Sequence, residues 1–460
     1  MKDRLHLRYP IFCTALLASM ICIISCKSEK ELTIDNTKET STDTTALIKD
    51  TSTLVATPIK VKIYRPKVFN YLIKTAYISI VDADQTHPVY RLNSNMPLAL
   101  HFDFMSFDHP SYYVEFIHCD HNWKPSNISS QEYIDGNDYQ EFSVGNPSFN
   151  TSQNYTHFDY TFPNESIQFL LGGNYYLLLF DSETEDTLLQ LPFYILDNQT
   201  FIEASTLEPT IPKYKFTHQK INLKVDAKDY EINDPYQNLI VQIRQNNRMD
   251  EKVENVMPSM VMNNAFQFSK ATAFHFGGGK EFKYIDIRSL QNLEARVRSS
   301  KYIGTKTKIV LDIDEIRSYK PNISLTDMNG NYVIFTKDAQ DHQLQGDYAT
   351  VTLRLKQNQE MAWEDLYIVG AFNNWQILPE YKMFFNIHDK QYECDLNLKQ
   401  GYYNYEYVTV PKGKKSPVER GYIEGHSRDA ENDYFIYVYT KPSGENYMNL
   451  IGLSRINSRN

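Results

Sequence analysis

The sequence predicts a mostly β protein: tandem β-sandwich domains of immunoglobulin-like or early-set-like form, placed after a signal peptide and a flexible tether. Three observations carry this reading. From residue 58 onward apolar residues recur at every second position, the repeat of a strand with one buried face. Turn residues interrupt these runs at short intervals. Tyr (34) and Phe (25) are abundant, and flat rings pack well on a pleated surface. No long stretch shows the helical period of about 3.6 residues.

Taken in chain order, the first element is a leader. Lys2, Arg4 and Arg8 precede an apolar run from Ile11 to Ile24. That run is too short for a membrane-spanning helix, which needs about 20 residues, so residues 1–25 read as a signal peptide. The sequence Ile23-Ile24-Ser25-Cys26 resembles a bacterial lipobox. Cys26 is therefore the expected lipidation site and the first residue of the processed chain, giving a membrane contact through a lipid anchor. Residues 26–57 are rich in Thr, Ser, Lys and acids and contain no aromatic residue. Such a segment cannot offset its ordering entropy and reads as a tether, with a reach of roughly 30 Å.

The folded body follows. Ile221, Leu223, Val225 and Ala227 alternate with polar residues, as do Ile309, Leu311 and Ile313, and Ala349, Val351, Leu353 and Leu355. Each set predicts a half-buried strand. Tyr175 to Phe180 and Tyr434 to Tyr439 are apolar throughout and suit central strands. Turns are expected at Asp135-Gly136, Gly172-Gly173, Asn329-Gly330 and Gly346-Asp347. Polar breaks at Asp197 to Pro212 and Ser318 to Asn322 divide the body into a first β-sandwich domain (58–197), a second β domain (198–316) and a third, early-set-like sandwich (317–445), followed by a polar tail (446–460). A chain of 460 residues holds roughly three domains. Cys119 and Cys394, about 275 positions apart, are expected as buried free thiols.

Charge and motifs narrow the function. The formal charge is −10 without a dense basic stripe, which argues against nucleic acid as a partner. His118, Asp120 and His121 suggest metal ligands, but on a strand His118 and Asp120 share one face while His121 points away. A buried, hydrogen-bonded His118 is the expectation, with no metal and no cofactor. Gly277-Gly278-Gly279-Lys280 has Phe274 where a phosphate loop needs its first Gly, and Glu281 where it needs Ser or Thr. A hairpin turn is expected there instead. No GxSxG, HExxH or CxxC motif occurs. No catalytic residue is nominated, and the reading is non-enzymatic.

Two stretches carry a family resemblance. In the first, His118-Cys119 is followed by Trp123 and by Glu132-Tyr133-Ile134-Asp135-Gly136; Tyr155-Thr156-His157, Phe162-Pro163-Asn164 and Gly173-Asn174-Tyr175 come next. The second runs from Lys280 to Leu290 (KEFKYIDIRSL). In this order, over about 70–440, the chain resembles the plug protein family of the Bacteroidota type IX secretion system. The resemblance implies a lipoprotein of the outer membrane, facing the periplasm, that docks on the large translocon barrel and closes its inner mouth. It makes Trp123, Tyr133, Asp135, Gly136, Phe282 and Arg288 candidate partner-binding residues. Lys280-Glu281-Phe282-Lys283 stands where the family often shows Asn-Glu-Phe-Arg, so no bidentate arginine contact is implied at that turn.

The third unit has its own resemblance. Leu366 to Trp375 (LYIVGAFNNW) and Gly401 to Val408 (GYYNYEYV) resemble early-set, glycogen-binding-type sandwiches. Sugar binders commonly complete their platform with a second Trp, but Trp375 is the last in this chain, so it reads as a core or corner residue. The alternative function is a carbohydrate-binding lipoprotein of a glycan-uptake system, with Trp375 and Tyr402 as the stacking residues.

Overall fold

Period-two alternation becomes strand pairing throughout the computed structural model, which describes residues 65–83, 87–228, 230–270 and 273–459. The signal peptide, Cys26 and the tether lie outside the described residues. The fold is mostly β with several sheets, as expected, and among the described residues the two short α-helices, Ser130–Tyr133 and Pro235–Asn238, sit in connections.

The first part is a two-sheet sandwich. One sheet runs Lys67–Val68, Thr187–Leu196, Gly173–Asp181, Tyr112–Cys119 and Tyr139–Phe142; the other runs Ile73–Ile80, Leu98–Phe104, Thr156–Phe162 and Asn146–Pro147. Tyr112, Val114 and Phe116 from the first sheet meet Leu100, Phe102, Phe158 and Phe162 from the second in one core. The apolar run at Tyr175 to Phe180 lies in an interior strand of its sheet, bonded on both edges.

Beyond residue 200 the sheets interleave across the expected boundaries. Phe201–Leu207, His218–Asp226 and Ala265–Phe268 form one sheet. Its partner sheet takes Leu239–Gln245 and pairs it along its whole length with Asp433–Thr440, which pairs in turn with Asn449–Asn457. Residues 446–460, expected as a polar tail, thus supply a strand with Leu450 and Ile451 fully buried. The remaining sandwich joins Lys283–Asp286, Tyr332–Ile334 and Glu364–Val369 to Gly401–Pro411. Against that sheet stand Val297–Ile303, Lys306–Leu311, Tyr348–Lys356, Gln391–Lys399 and Phe384–Asn386. The polar break at Ser318 to Asn322 is a surface connection inside this sandwich. Turn composition reports where the chain bends, whereas sheet membership is set by contacts hundreds of residues apart.

Local differences have the same cause. Ile309 and Leu311 are buried as expected, but their strand ends at Leu311 and Ile313 is 41% exposed. The glycine run does not close a hairpin: His275–Gly277 pairs with His218–Lys220, while Lys283–Asp286 pairs with Tyr402–Tyr405. The segment carries the chain from one sandwich to the next. Cys119 and Cys394 are free and buried.

Candidate functional site

The nominated partner-binding residues divide by burial. Trp123 lies inside, its ring 4.9 Å from Tyr176 and 5.3 Å from Tyr194. Tyr133 is buried and donates its hydroxyl to the carbonyl of Phe116 at 3.1 Å. Phe282 is buried 5.6 Å from Trp375. These three belong to three separate cores, so the structure corrects their nomination: a side chain packed inside the fold presents nothing to a docking partner. The other three reach the surface. Asp135 and Gly136 are exposed, and Gly136 holds φ +107° where an added Cβ would sit 2.2 Å from the Ser166 carbonyl oxygen. Arg288 is half-buried, bonded to both carboxylate oxygens of Asp286 at 2.8 and 2.6 Å, with its guanidinium over the Tyr402 ring.

The glycan candidates do not form a platform. Trp375 is buried between Phe282 and Arg248, whose guanidinium carbon lies 4.5 Å from the ring centroid. Gly330 approaches so closely that a Cβ there would meet the indole at 2.2 Å. Tyr402 is half-buried and stacks on Tyr284 at 5.3 Å. Neither tyrosine touches Trp375 among the described ring contacts.

His118 is buried and bonded at both nitrogens, to Ser126 Oγ at 2.8 Å and to the Gly172 carbonyl at 3.1 Å. Burial pushes its pKa down to about 4, so the ring is neutral and structural. Asp120 caps the following turn through the amides of Asn122 and Lys124. Lys280, the last residue of the glycine run, donates to the carbonyls of Arg317 and Lys320.

Sequence reasoning missed the buried charges that tie the parts together. Asp103 is fully buried in the first sandwich and accepts hydrogen bonds from Lys399 Nζ at 2.7 Å, the Tyr348 hydroxyl at 2.6 Å and His157 Nδ1 at 2.6 Å. Burial opposes the charge on Asp103, but Lys399 and His157 outweigh it and hold the carboxyl below its usual range. Burial also lowers the pKa of Lys399. Glu424 accepts from Lys283 at 2.7 Å and Arg317 at 2.5 Å. Arg248 binds Glu406 and Asp250, and Arg420 binds Glu406 at 3.0 Å and Glu251 at 2.6 Å. Arg244 is fully buried in an aromatic box of Trp123, Tyr194 and Tyr437, donating to the Tyr194 hydroxyl and to Gln242. Where the first, second and third parts meet, a cleft of about 690 Å³ opens, lined by Tyr77, His87, Arg91, Tyr332, Trp375 and Arg455 among others.

This geometry describes a braced body of several β layers, and comparison with known proteins gives it a context. Residues 73–197 match the family model described as type 9 secretion system plug protein 1st domain. The suspected family is thereby confirmed for the first sandwich. This match links the chain to type IX secretion and, with it, to the cell envelope. Among solved structures, a hypothetical protein from Parabacteroides merdae ATCC 43184 is similar at 25% identity and a TM-score of 0.81, over 85% of this chain and 98% of that one. The C-terminal domain of the Streptococcus pyogenes antigen I/II-family protein AspA aligns at 5% identity over 84% of this chain and 99% of that one, with a TM-score of only 0.17. That score is too low to carry an argument. No curated protein matches the chain.

Proposed function

We propose that this protein docks on the periplasmic mouth of an outer-membrane translocon barrel and occludes it by shape, held near the membrane by a lipid on Cys26. The observation that carries this reading is the plug-family match over residues 73–197. The bracing supports it. A stopper for a wide pore must not deform, and separating the first and third sandwiches here would strip Lys399 and Tyr348 from buried Asp103, a costly change. Specific docking takes roughly 800 Å² per partner and is tuned for release mainly through the off-rate. A tether raises the local concentration of the body beside the pore. Asp135, Gly136 and Arg288 remain the solvent-facing candidates for contact. The glycan-binding alternative is less favoured, because Trp375 is buried against Phe282, Gly330 and Arg248 and forms no platform with Tyr402.

The test is co-purification. Tagged protein recovered from mild detergent extracts should bring down an outer-membrane barrel, and deletion of the gene should increase entry of large antibiotics. Recovery without any barrel, identified by mass spectrometry, would overturn the proposal.

A further inference from the structure

Beside the seam between the first and third parts, four titratable residues alternate on one sheet face. Strands Leu98–Phe104 and Thr156–Phe162 place His101 opposite Asp159 and Asp103 opposite His157. Period two keeps all four on the face turned away from Leu100, Phe102, Phe158 and Tyr160. His101 Nδ1 lies 2.5 Å from Asp159 Oδ1, and His157 Nε2 lies 3.1 Å from the same oxygen. The far nitrogen of each ring is also held: His157 Nδ1 meets Asp103 Oδ1 at 2.6 Å, and His101 Nε2 meets Ser79 Oγ at 3.0 Å. Tyr77 stacks on His101 at 4.7 Å, and the two imidazoles lie nearly parallel.

With its Nδ1–H donated to Asp103, a neutral His157 turns the Nε2 lone pair toward Asp159. His101 Nδ1 converges on the same carboxylate oxygen. Lone pairs that meet in this way need positive charge among them. Two protons can supply it, and so can one dication. Among the described residues this is the one group of three His, Cys, Asp or Glu side chains whose ligand atoms come within 4.8 Å of one another.

We propose that His101 Nδ1, His157 Nε2 and Asp159 bind a transition-metal dication, with zinc the best fit. Around tetrahedral zinc, with bonds of about 2.0–2.1 Å, ligand atoms stand roughly 3.3 Å apart, so the two nitrogen–oxygen separations need to open by less than about 1 Å. Two imidazoles and a carboxylate favour zinc or a neighbouring transition metal over calcium or magnesium. The outer partners are those a metal site uses: a buried carboxylate, Asp103, orients one imidazole, and the Ser79 hydroxyl orients the other. Lys399 and Tyr348 hold Asp103 in turn. The Asp159 side chain is 37% exposed while His157 is almost fully buried, so the fourth position opens toward solvent and takes water or a ligand from outside. The ion clips two strands together next to the seam. This inference does not depend on docking to a barrel.

The test uses the full chain, purified without a histidine tag and stripped with chelator. Zinc is titrated by calorimetry, and cobalt(II) serves as a spectroscopic probe. We expect one equivalent bound, the visible bands of four-coordinate cobalt, and a rise in melting temperature with zinc. His101→Gln and Asp159→Asn should each weaken binding at least about tenfold. Should His101→Gln melt early, Asp159→Asn, at an exposed side chain, carries the comparison alone. Absence of saturable uptake, or uptake unchanged in folded variants, would overturn the site.

Discussion

Glu424 shows how much a single buried carboxylate contributes. Burial drives its pKa up, but Lys283 and Arg317 more than reverse this and hold it at about 2. An unfolded Glu titrates near 4.3. Its folded pKa is depressed, so its stabilising contribution is complete above about pH 4.5 and is lost as pH falls toward 2. Glu424→Gln leaves two cations short of their partner and should cost about 3–5 kcal/mol at neutral pH. In urea titrations the gap between wild type and this variant should narrow from pH 4.5 downward; a constant gap would show that Glu424 is not charged in the fold. Trp375 makes a different case. As a core residue it predicts that Trp375→Ala lowers unfolding free energy by about 3–5 kcal/mol, measured by denaturant, whereas an exposed stacking residue would leave stability nearly unchanged. Neither Glu424 nor Asp103 stands out in the sequence. Asp103 falls on the polar side of an alternating strand, as does Lys399, and alternation assigns such positions to solvent. The third sandwich covers that side of the first, and the two charges meet there unseen by any local pattern.

At the scale of elements, the last strand is the sharpest test. Asn449–Asn457 pairs with Asp433–Thr440 alone, and it covers the edge of a strand whose side chains are all buried. Removing residues 446–460 should leave that ladder open and expose Leu450's neighbours, Tyr437 and Tyr439. We expect the truncated chain to accumulate as insoluble protein, or to melt well below the full chain in circular dichroism. A dispensable polar tail would leave both unchanged. The segment is hard to read because Leu450, Ile451, Leu453 and Ile456 do not alternate strictly, with Asn, Gly, Ser and Arg between and around them. Ile221 to Ala227 and Ala349 to Leu355 were easy for the opposite reason: their inner faces are uniformly apolar and their outer faces polar.

The whole molecule unites segments that are distant in the chain. The described residues, from 65 onward, form one compact unit, and the Leu239–Gln245 and Lys283–Asp286 strands both find partners beyond residue 400. The second and third parts, cut apart at residue 316, should therefore fail to fold separately. The fragments 198–316 and 317–460 should each give poorly dispersed amide spectra, and a well-dispersed spectrum from either would contradict the interleaving. Heating the intact chain should give one dominant calorimetric transition, because no sandwich beyond the first is complete without strands from elsewhere. The same interleaving suits the proposed role, in which the body resists deformation while it occludes a pore.

The sequence alone determined the β class, most strand positions, the buried His118 and free thiols, and the resemblance that the 73–197 match confirmed. These follow from short-range pattern, since side chains alternate within one strand and motifs are contiguous. Only the tertiary structure decided which strands pair, which nominated residues are interior, and which charges lie at the seams. Those outcomes depend on contacts between residues up to hundreds of positions apart, such as Asp103 with Lys399, and the burial of a polar residue depends on what another part of the chain lays over it.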